Sequence, residues 1–85
     1  KSLEEFGYKS DEAYNIKDAK YFLDIRNYNL VIIDTDFSLS EVFKFIDYTK
    51  NNYHLIKIIV ISNDLSIETE IKTLKMGADD FIRKP

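Results

Sequence analysis

The chain has 85 residues, enough for one small domain whose hydrophobic core is only marginally stabilising. Its 12 lysine and arginine residues against 15 aspartate and glutamate residues give a net charge of −3, which argues against direct contact with nucleic acid. Without cysteine it can form no disulfide, thiolate metal site or cysteine nucleophile, and no apolar run is long enough to span a membrane. We therefore expect a single cytoplasmic domain over residues 1–85, with no signal peptide.

The first part of the chain predicts supporting elements. Residues 1–7 have the pattern of a helix tail, and residues 8–14 form a charged segment that suits an edge strand. Asn15 suits the N-cap of a helix that ends near Asn27, and Asp18 complements the positive end of the helix dipole. Its apolar residues recur on one helical face: Ile16, Ala19, Phe22 and Leu23.

The most informative local pattern is Leu30–Asp34, four apolar residues followed by a carboxylate. Such runs form strands buried on both faces, as at the centre of parallel sheets. The carboxyl ends of parallel strands form the ligand crevice of open α/β sheets. Asp34 is therefore the main candidate functional residue.

A second helix and a second strand follow. Ser38 and Glu41 match the capping box, in which each residue satisfies a free backbone N–H of the other. The helix carries an apolar stripe at Leu39, Val42, Phe43 and Ile46. Residues 56–61 are apolar and β-branched except for one lysine, so we predict a second central strand that ends at Ser62.

A third helix and a short strand complete the pattern. Either Asn63 or Asp64 can cap this helix, and Gly77 suits its C-terminal end. Its expected buried face is formed by Ile67, Ile71, Leu74 and Ala78. Residues 80–82 predict the last strand. This alternation of helices and strands predicts a parallel sheet with right-handed crossovers.

Three segments together resemble the receiver domain of two-component response regulators. They are Leu30–Asp34, Ile58-Ile59-Val60-Ile61-Ser62 and the specific ending Gly77-Ala78-Asp79-Asp80-Phe81-Ile82-Arg83-Lys84-Pro85. The resemblance implies an α/β fold, a flavodoxin-like doubly wound parallel sheet with strand order 2-1-3-4-5. It covers nearly all of the chain. The family's first strand, which ends in paired carboxylates, and its last helix are absent from these residues, so we expect a partial receiver domain.

The resemblance also implies the chemistry. Asp34 would be the phosphoacceptor, whose carboxylate attacks the phosphorus of a phosphohistidine or a small phosphodonor. Ser62 would donate its hydroxyl to a phosphoryl oxygen, and Lys84 would place its ammonium against the site. Ser62 and Phe81 would shift inward as the switch. Mg²⁺ would be held by Asp34, by the backbone carbonyl of Asp36 and by a carboxylate of the absent first strand. No other cofactor is implied.

Several local features bear on this site. The Lys84–Pro85 peptide is expected to be cis, as is typical of the family, and would aim the lysine at the site. Residues 35–39 lack the proline and glycine expected after the phosphoacceptor, in a loop that shapes the metal site. Asn63 replaces a small residue, and Phe81 lacks the hydroxyl of a tyrosine.

Two functions remain open. In the first, a sensor histidine kinase phosphorylates Asp34, and the surface formed by the third helix and last strand changes partners, including a second copy. The output would be transcription, through a DNA-binding domain outside this chain. In the second, a degenerate receiver dimerises without phosphate. Paired carboxylates in the first strand would favour the former, and neither function makes the chain a turnover enzyme. A nucleotide or flavin binder is disfavoured because no glycine-rich loop follows a strand.

Overall fold

The structure, a computed structural model, describes residues 11–35, 38–64 and 66–85. Helices and strands alternate in the order α1 (Ile16–Ile25), β1 (Leu30–Asp34), α2 (Leu39–Asn52), β2 (Lys57–Ser62), α3 (Ile67–Met76) and β3 (Asp80–Arg83). The predicted alternation from residue 16 onward is confirmed. The helix tail expected at residues 1–7 lies outside the described residues.

The segment before α1 differs from its prediction. Residues 11–14 are irregular, so the edge strand expected over residues 8–14 is wrong in its described part, and residues 8–10 lie outside it. Asp11 instead accepts a hydrogen bond from the Tyr28 hydroxyl at 2.6 Å and pairs with Arg26 at 3.3 Å. The described part of this charged segment is thus held by side-chain contacts of Asp11 and not by the backbone hydrogen bonds of a strand. Partial burial and the bond to Asp11 raise the pKa of Tyr28 to about 12.

The three described strands form one parallel sheet in the order β1-β2-β3. Leu30 lies opposite Lys57 in the first pairing, and Ser62 lies opposite Arg83 in the second. Each connection between neighbouring strands passes through a helix, as parallel strands require. The predicted fold class is confirmed: the order matches the last three strands of a flavodoxin-like sheet.

One face of the sheet forms the hydrophobic core. Ile33, Ile58 and Val60 project from this face, and none is more than 5% exposed. They pack against side chains of α1 and α2 and against Ala78. The buried hydrophobic residues are Leu23, Ile33, Val42, Phe45, Ile46, Ile56, Ile58, Val60 and Ala78. The core therefore lies between the sheet and the described helices.

The opposite face of the sheet is open to solvent. Leu30, Ile32 and Ile82 project from it and are 39%, 47% and 46% exposed. The prediction that the strand Leu30–Asp34 is buried on both faces is therefore wrong for the part of the chain described. The apolar run shows that both faces suit burial, but the described helices cover only one of them. Within that part, no strand pairs with the other edge of β1.

The predicted N-cap residues of the first two helices are confirmed. The Asn15 side chain accepts from the backbone N–H of Asp18 at 2.8 Å, and Ser38 Oγ accepts from that of Glu41 at 3.3 Å. α1 ends at Ile25, because the backbone turns extended at the next residue, before the predicted end near residue 27.

The start and the buried face of α3 differ from the predictions. Ser66 is the N-cap rather than Asn63 or Asp64, and its side chain accepts from the backbone N–H of Thr69 at 3.3 Å. Thr73 is fully buried, and its hydroxyl donates to a backbone carbonyl at 2.6 Å. The predicted apolar face is partly wrong: Ala78 is buried, but Ile67, Ile71 and Leu74 are 66%, 47% and 40% exposed. A threonine whose hydroxyl bonds to its own helix can be buried, which apolar spacing does not reveal.

The turn from α3 to β3 depends on Gly77 and Asp79. Gly77 has a φ of 125°, and a Cβ there would lie 2.9 Å from Lys50 Cγ. The Asp79 carboxylate accepts from the Ile58 backbone N–H at 2.8 Å and from Lys50 Nζ at 3.0 Å. These bonds, chiefly that from Ile58, lower the pKa of Asp79 below its ordinary value of 3.8. Asp79 thus joins the starts of β2 and β3 to α2.

We predict that Asp79→Ala lowers the free energy of unfolding of the complete protein by about 1–3 kcal/mol, because it leaves the Ile58 N–H without its acceptor. Since folding lowers the pKa of Asp79, its contribution is full above pH 3.8 and is lost as pH falls through the folded value. Urea denaturation at several pH values measures both effects. Asp47→Ala, at an exposed position of α2, should change stability by less than about 0.5 kcal/mol. Equal stability of the two variants would contradict this assignment.

We also predict that a synthetic chain of these 85 residues does not melt cooperatively as a dilute monomer. The half-exposed side chains of β1 each forgo part of the roughly 1.5–3 kcal/mol that full burial provides. In the described part of the chain no strand lies along the outer edge of β1, so this edge adds no backbone ladder to the sheet. Circular dichroism and sedimentation velocity decide the question. A cooperative melt from a monomer, with slowly exchanging amides in β1, would show the prediction wrong.

Candidate functional site

Three sequence-distant residues lie at the carboxyl edge of the sheet: Asp34, Ser62 and Lys84. Asp34 ends β1 opposite Ile61, and the backbone N–H of Thr35 donates to the Ile61 carbonyl at 3.0 Å. The backbone N–H of Lys84 donates to the Ser62 carbonyl at 2.7 Å. The main-chain ladder of β2 therefore fixes the positions from which all three side chains project.

Asp34 and Lys84 form an ion pair at this edge. Lys84 Nζ lies 2.6 Å from Asp34 Oδ2, and the two side chains are 25% and 45% exposed respectively. A short, charge-assisted contact of this kind orients the carboxylate. Because the Asp34 side chain is nearly half exposed, a second molecule can reach it. The pair therefore offers an accessible oxygen nucleophile beside a cation that can balance the charge of an incoming anion.

The backbone around Lys84 differs from one expectation. No described peptide bond is cis, so the predicted cis Lys84–Pro85 bond is wrong in this structure. The trans form of such a bond is favoured by about 0.5–1 kcal/mol in the absence of other constraints. Lys84 reaches Asp34 with the trans peptide in place.

Ser62 is held on the other side of the sheet from this ion pair. Alternation along β2 places it on the core face with Ile58 and Val60, and it is 0% exposed. Its Oγ accepts from the Thr35 hydroxyl at 2.7 Å and from the backbone N–H of Asp64 at 2.9 Å. The sequence analysis missed Thr35. The sequence did contain a signal for it: a hydroxyl residue follows Asp34 directly. Alternation along the strand directs its side chain to the same face as that of Ile33.

Phe81 lies on the core face of the sheet. It is opposite Val60 in the pairing of β2 and β3, is half-buried and packs against the core cluster. The two residues predicted to form the switch, Ser62 and Phe81, therefore share one face of the sheet. Asp34 and Lys84 occupy the other.

Side chains at the start of α3 connect that helix to the site. The Asp64 carboxylate accepts from the backbone N–H of Ser66 and from the Thr69 hydroxyl, each at 2.8 Å. These bonds, led by that from Ser66, lower the pKa of Asp64, and the charge of Arg83 adds to the shift. Arg83 pairs with Glu70 of α3 at 2.6 Å. Asp64, two residues after Ser62, and Arg83, the residue before Lys84, are thus both bound to the region of α3.

The described residues supply one carboxylate to a possible Mg²⁺ site. Asp36, whose backbone carbonyl was expected as a ligand, lies outside the described residues. In the described ranges, no three histidine, cysteine, aspartate or glutamate side chains come together as a metal cluster. Mg²⁺ prefers six oxygen ligands, several of them waters, with one or two carboxylates. Asp34 suits such an ion chemically, but the described donors alone do not complete its site.

Other surface features lie away from this edge. A shallow cleft is lined by residues that precede β1 and β2, among them Arg26, Tyr53 and His54, and so opens at the opposite, amino end of the sheet. His54 is exposed. None of the helices in residues 11–35, 38–64 and 66–85 is long and apolar enough to cross a bilayer.

Comparison with known proteins gives consistent matches. A family model described as the response regulator receiver domain matches residues 1–85. A putative response regulator, NtrX-like, of Rickettsia felis is 33% identical over 86 residues, covering 99% of this chain and 18% of that protein. The transcriptional regulatory protein PhoP of Escherichia coli K12 is 25% identical, covering 98% and 37%. The chain thus spans less than two fifths of either curated relative.

A solved structure shows the same architecture. The crystal structure of HP1043, an orphan response regulator of H. pylori, superposes with a TM-score of 0.83 at 34% identity and covers 98% of this chain and 67% of that one. Response regulator receivers generally bind Mg²⁺, interact with histidine kinases and can dimerise, and they are generally not turnover enzymes. Because the family model matches every residue of the chain, the chain belongs to the response regulator receiver domain family of two-component systems.

Proposed function

We propose that this chain is the phosphoacceptor part of a cytoplasmic response regulator. Asp34 takes a phosphoryl group from a sensor histidine kinase, and the change switches an output such as transcription. The observation that carries this proposal is the Asp34–Lys84 pair, in which an accessible carboxylate lies 2.6 Å from an ammonium at the carboxyl edge of the sheet.

The transfer needs little covalent chemistry from the protein. An Asp34 oxygen forms a bond to phosphorus while the bond from phosphorus to the histidine nitrogen of the kinase breaks, and the imidazole leaves with that electron pair. Lys84 balances negative charge that gathers on the phosphoryl oxygens. A Mg²⁺ ion held by Asp34, the carbonyl of Asp36 and donors outside the described residues would supply further charge neutralisation.

The switch then involves the core face of the sheet. Ser62 donates its hydroxyl to a phosphoryl oxygen, and Phe81, half-buried on the same face, moves inward. Arg83 and Glu70 carry the change to α3, because their contact joins that helix to the residue before Lys84. The α3–β3 surface then changes its partners. A DNA-binding output domain outside this chain would read the change, as the similarity to PhoP suggests.

A second candidate is an interaction module that works without phosphate. Three large apolar side chains of α3, Ile67, Ile71 and Leu74, are at least 40% exposed, which favours association through this helix and β3. In the first candidate, association of two copies through this surface depends on Asp34. In the second candidate it does not.

We predict that acetyl phosphate with Mg²⁺ labels the complete protein and that Asp34→Asn abolishes the label, because the amide is not a nucleophile for this transfer. Phosphate incorporation measured by intact-protein mass spectrometry gives the result. Asp36→Asn is the matched control: it removes a neighbouring carboxylate but keeps the backbone carbonyl, and should still label.

Sedimentation of the same samples separates the two candidates. If only the labelled wild-type protein associates, and Asp34→Asn does not, the phosphorylation switch is supported. Labelling that persists in Asp34→Asn would exclude Asp34 as the acceptor. Unlabelled wild-type protein and Asp34→Asn that both associate to the same extent as the labelled wild type would favour the interaction module.

We predict that Lys84→Met changes the free energy of unfolding by less than about 1 kcal/mol, because partly exposed ion pairs contribute little to stability. Output after phosphorylation should nevertheless fall clearly, since the charge beside the phosphoryl group is lost. Urea denaturation and a transcription reporter measure the two effects. Lys57→Met, an exposed lysine at the amino end of β2, controls for loss of charge. A loss of several kcal/mol in Lys84→Met would instead make Lys84 a structural partner.

A further inference from the structure

The contact between Thr35 and Ser62 is not explained by the chemistry proposed above. Thr35 Oγ1 donates to Ser62 Oγ at 2.7 Å, in a part of the sheet where Ser62 has no exposed surface. Alternation along β1 directs Ile33 and Thr35 to the core face and Asp34 to the other. The hydroxyl expected to bind the phosphoryl group is therefore engaged on the face opposite the acceptor carboxylate.

We propose that Thr35 is a positioning residue that holds the Ser62 hydroxyl in its resting orientation. A phosphoryl group on Asp34 has to compete with Thr35 for this hydroxyl. Thr35 therefore sets the equilibrium between the resting orientation of Ser62 and the orientation turned towards the phosphoryl group. The inference rests on the proposed function of Asp34 as the phosphoacceptor. It adds a residue and a resting-state restraint to that site.

The hydrogen-bonding capacity of serine supports this assignment. A hydroxyl has two acceptor lone pairs and one proton. In the resting structure the Thr35 hydroxyl and the Asp64 N–H both donate to Ser62 Oγ. When Ser62 turns towards a phosphoryl oxygen, both donors lose this acceptor in a partly buried site. The resting orientation is therefore favoured by two bonds, of which the Thr35 side chain supplies one.

The size of the effect follows from the kind of bond. A hydrogen bond between neutral groups shifts an equilibrium by roughly two- to tenfold. Thr35→Val removes the donor and keeps the branched shape, so it should raise the population of turned Ser62 by that factor. Thr35→Ser keeps the donor and should leave the population near that of the wild type.

The Asp64 amide reports the orientation of Ser62 directly. Its N–H donates to Ser62 Oγ at 2.9 Å and loses this acceptor when the hydroxyl turns. The Asp64 carboxylate is bound to Ser66 and Thr69 at the start of α3, so the same event reaches that helix. The chemical shift of this amide proton therefore separates a change in the switch from a general loss of stability.

The test uses the complete protein with and without beryllofluoride, a phosphoryl mimic, and follows the Asp64 amide by NMR. Ser62→Ala gives the shift of the amide without its acceptor. Thr35→Val should move the free protein towards that reference and lower the beryllofluoride concentration for half-saturation by two- to tenfold. Thr35→Ser should do neither. In the Ser62→Ala background, Thr35→Val should have no further effect on either measurement.

Each outcome decides the proposal. If Asp34 labels with acetyl phosphate but Thr35→Val leaves the amide shift and the half-saturation unchanged, the role of Thr35 is refuted and the proposed function stands. If wild-type Asp34 does not label, both fail together. Thr35→Ala, a second variant without the hydroxyl, replaces Thr35→Val if the latter does not fold, and must give the same direction of change. An equal effect of Thr35→Ser would also refute the proposal, because the hydroxyl would then not be the cause.

Discussion

The site depends on the parallel pairing of β2 with a strand on each side. The ladder continues past the regular strands, with the Thr35 N–H bonded to the Ile61 carbonyl and the Lys84 N–H bonded to that of Ser62. Backbone bonds therefore determine the positions of Asp34, Ser62 and Lys84, whatever their side chains. Asp79 fixes the other end of the sheet by bonding to the Ile58 N–H, so β2 is held at both ends. A site placed by main-chain bonds on rigid elements needs few residues of its own.

The alternation of side chains then divides the chemistry between two faces. Asp34 and Lys84 meet on the open face, where the phosphodonor of the proposed function would have access. Ser62 is bound on the core face, where Phe81 also packs. In the proposed function, a signal that starts on one face has to be passed through the end of β2 to the other. The short segment from Ser62 to α3, held by the Asp64 carboxylate, is suited to do this because its bonds include both side-chain and backbone groups.

A feature of the fold or of the site could be predicted from the sequence where neighbouring residues in the chain determine it. The ends of β1 and β2 follow from apolar runs that stop at Asp34 and Ser62, so the fold class was predictable. The grouping of these residues with Lys84 was implied by the resemblance of the chain's ending to the receiver family. The N-cap of α3 was not, because Asp64 is used for side-chain bonds to the helix and Ser66 takes its place. The open face of the sheet was missed for a related reason. A strand sequence indicates which faces suit burial, whereas coverage is decided by elements elsewhere in the chain.

The separation of the two faces affects how a family of such domains can diversify. In the proposed function, substitutions on the open face would alter which donors reach the carboxylate, and those at Thr35 and its neighbours would alter the balance between resting and switched forms. Because the two sets of side chains point in opposite directions from the same strands, either property can change while the other is conserved. Substitutions on the two faces of one sheet could thus change the choice of partner and the sensitivity to its signal independently of each other.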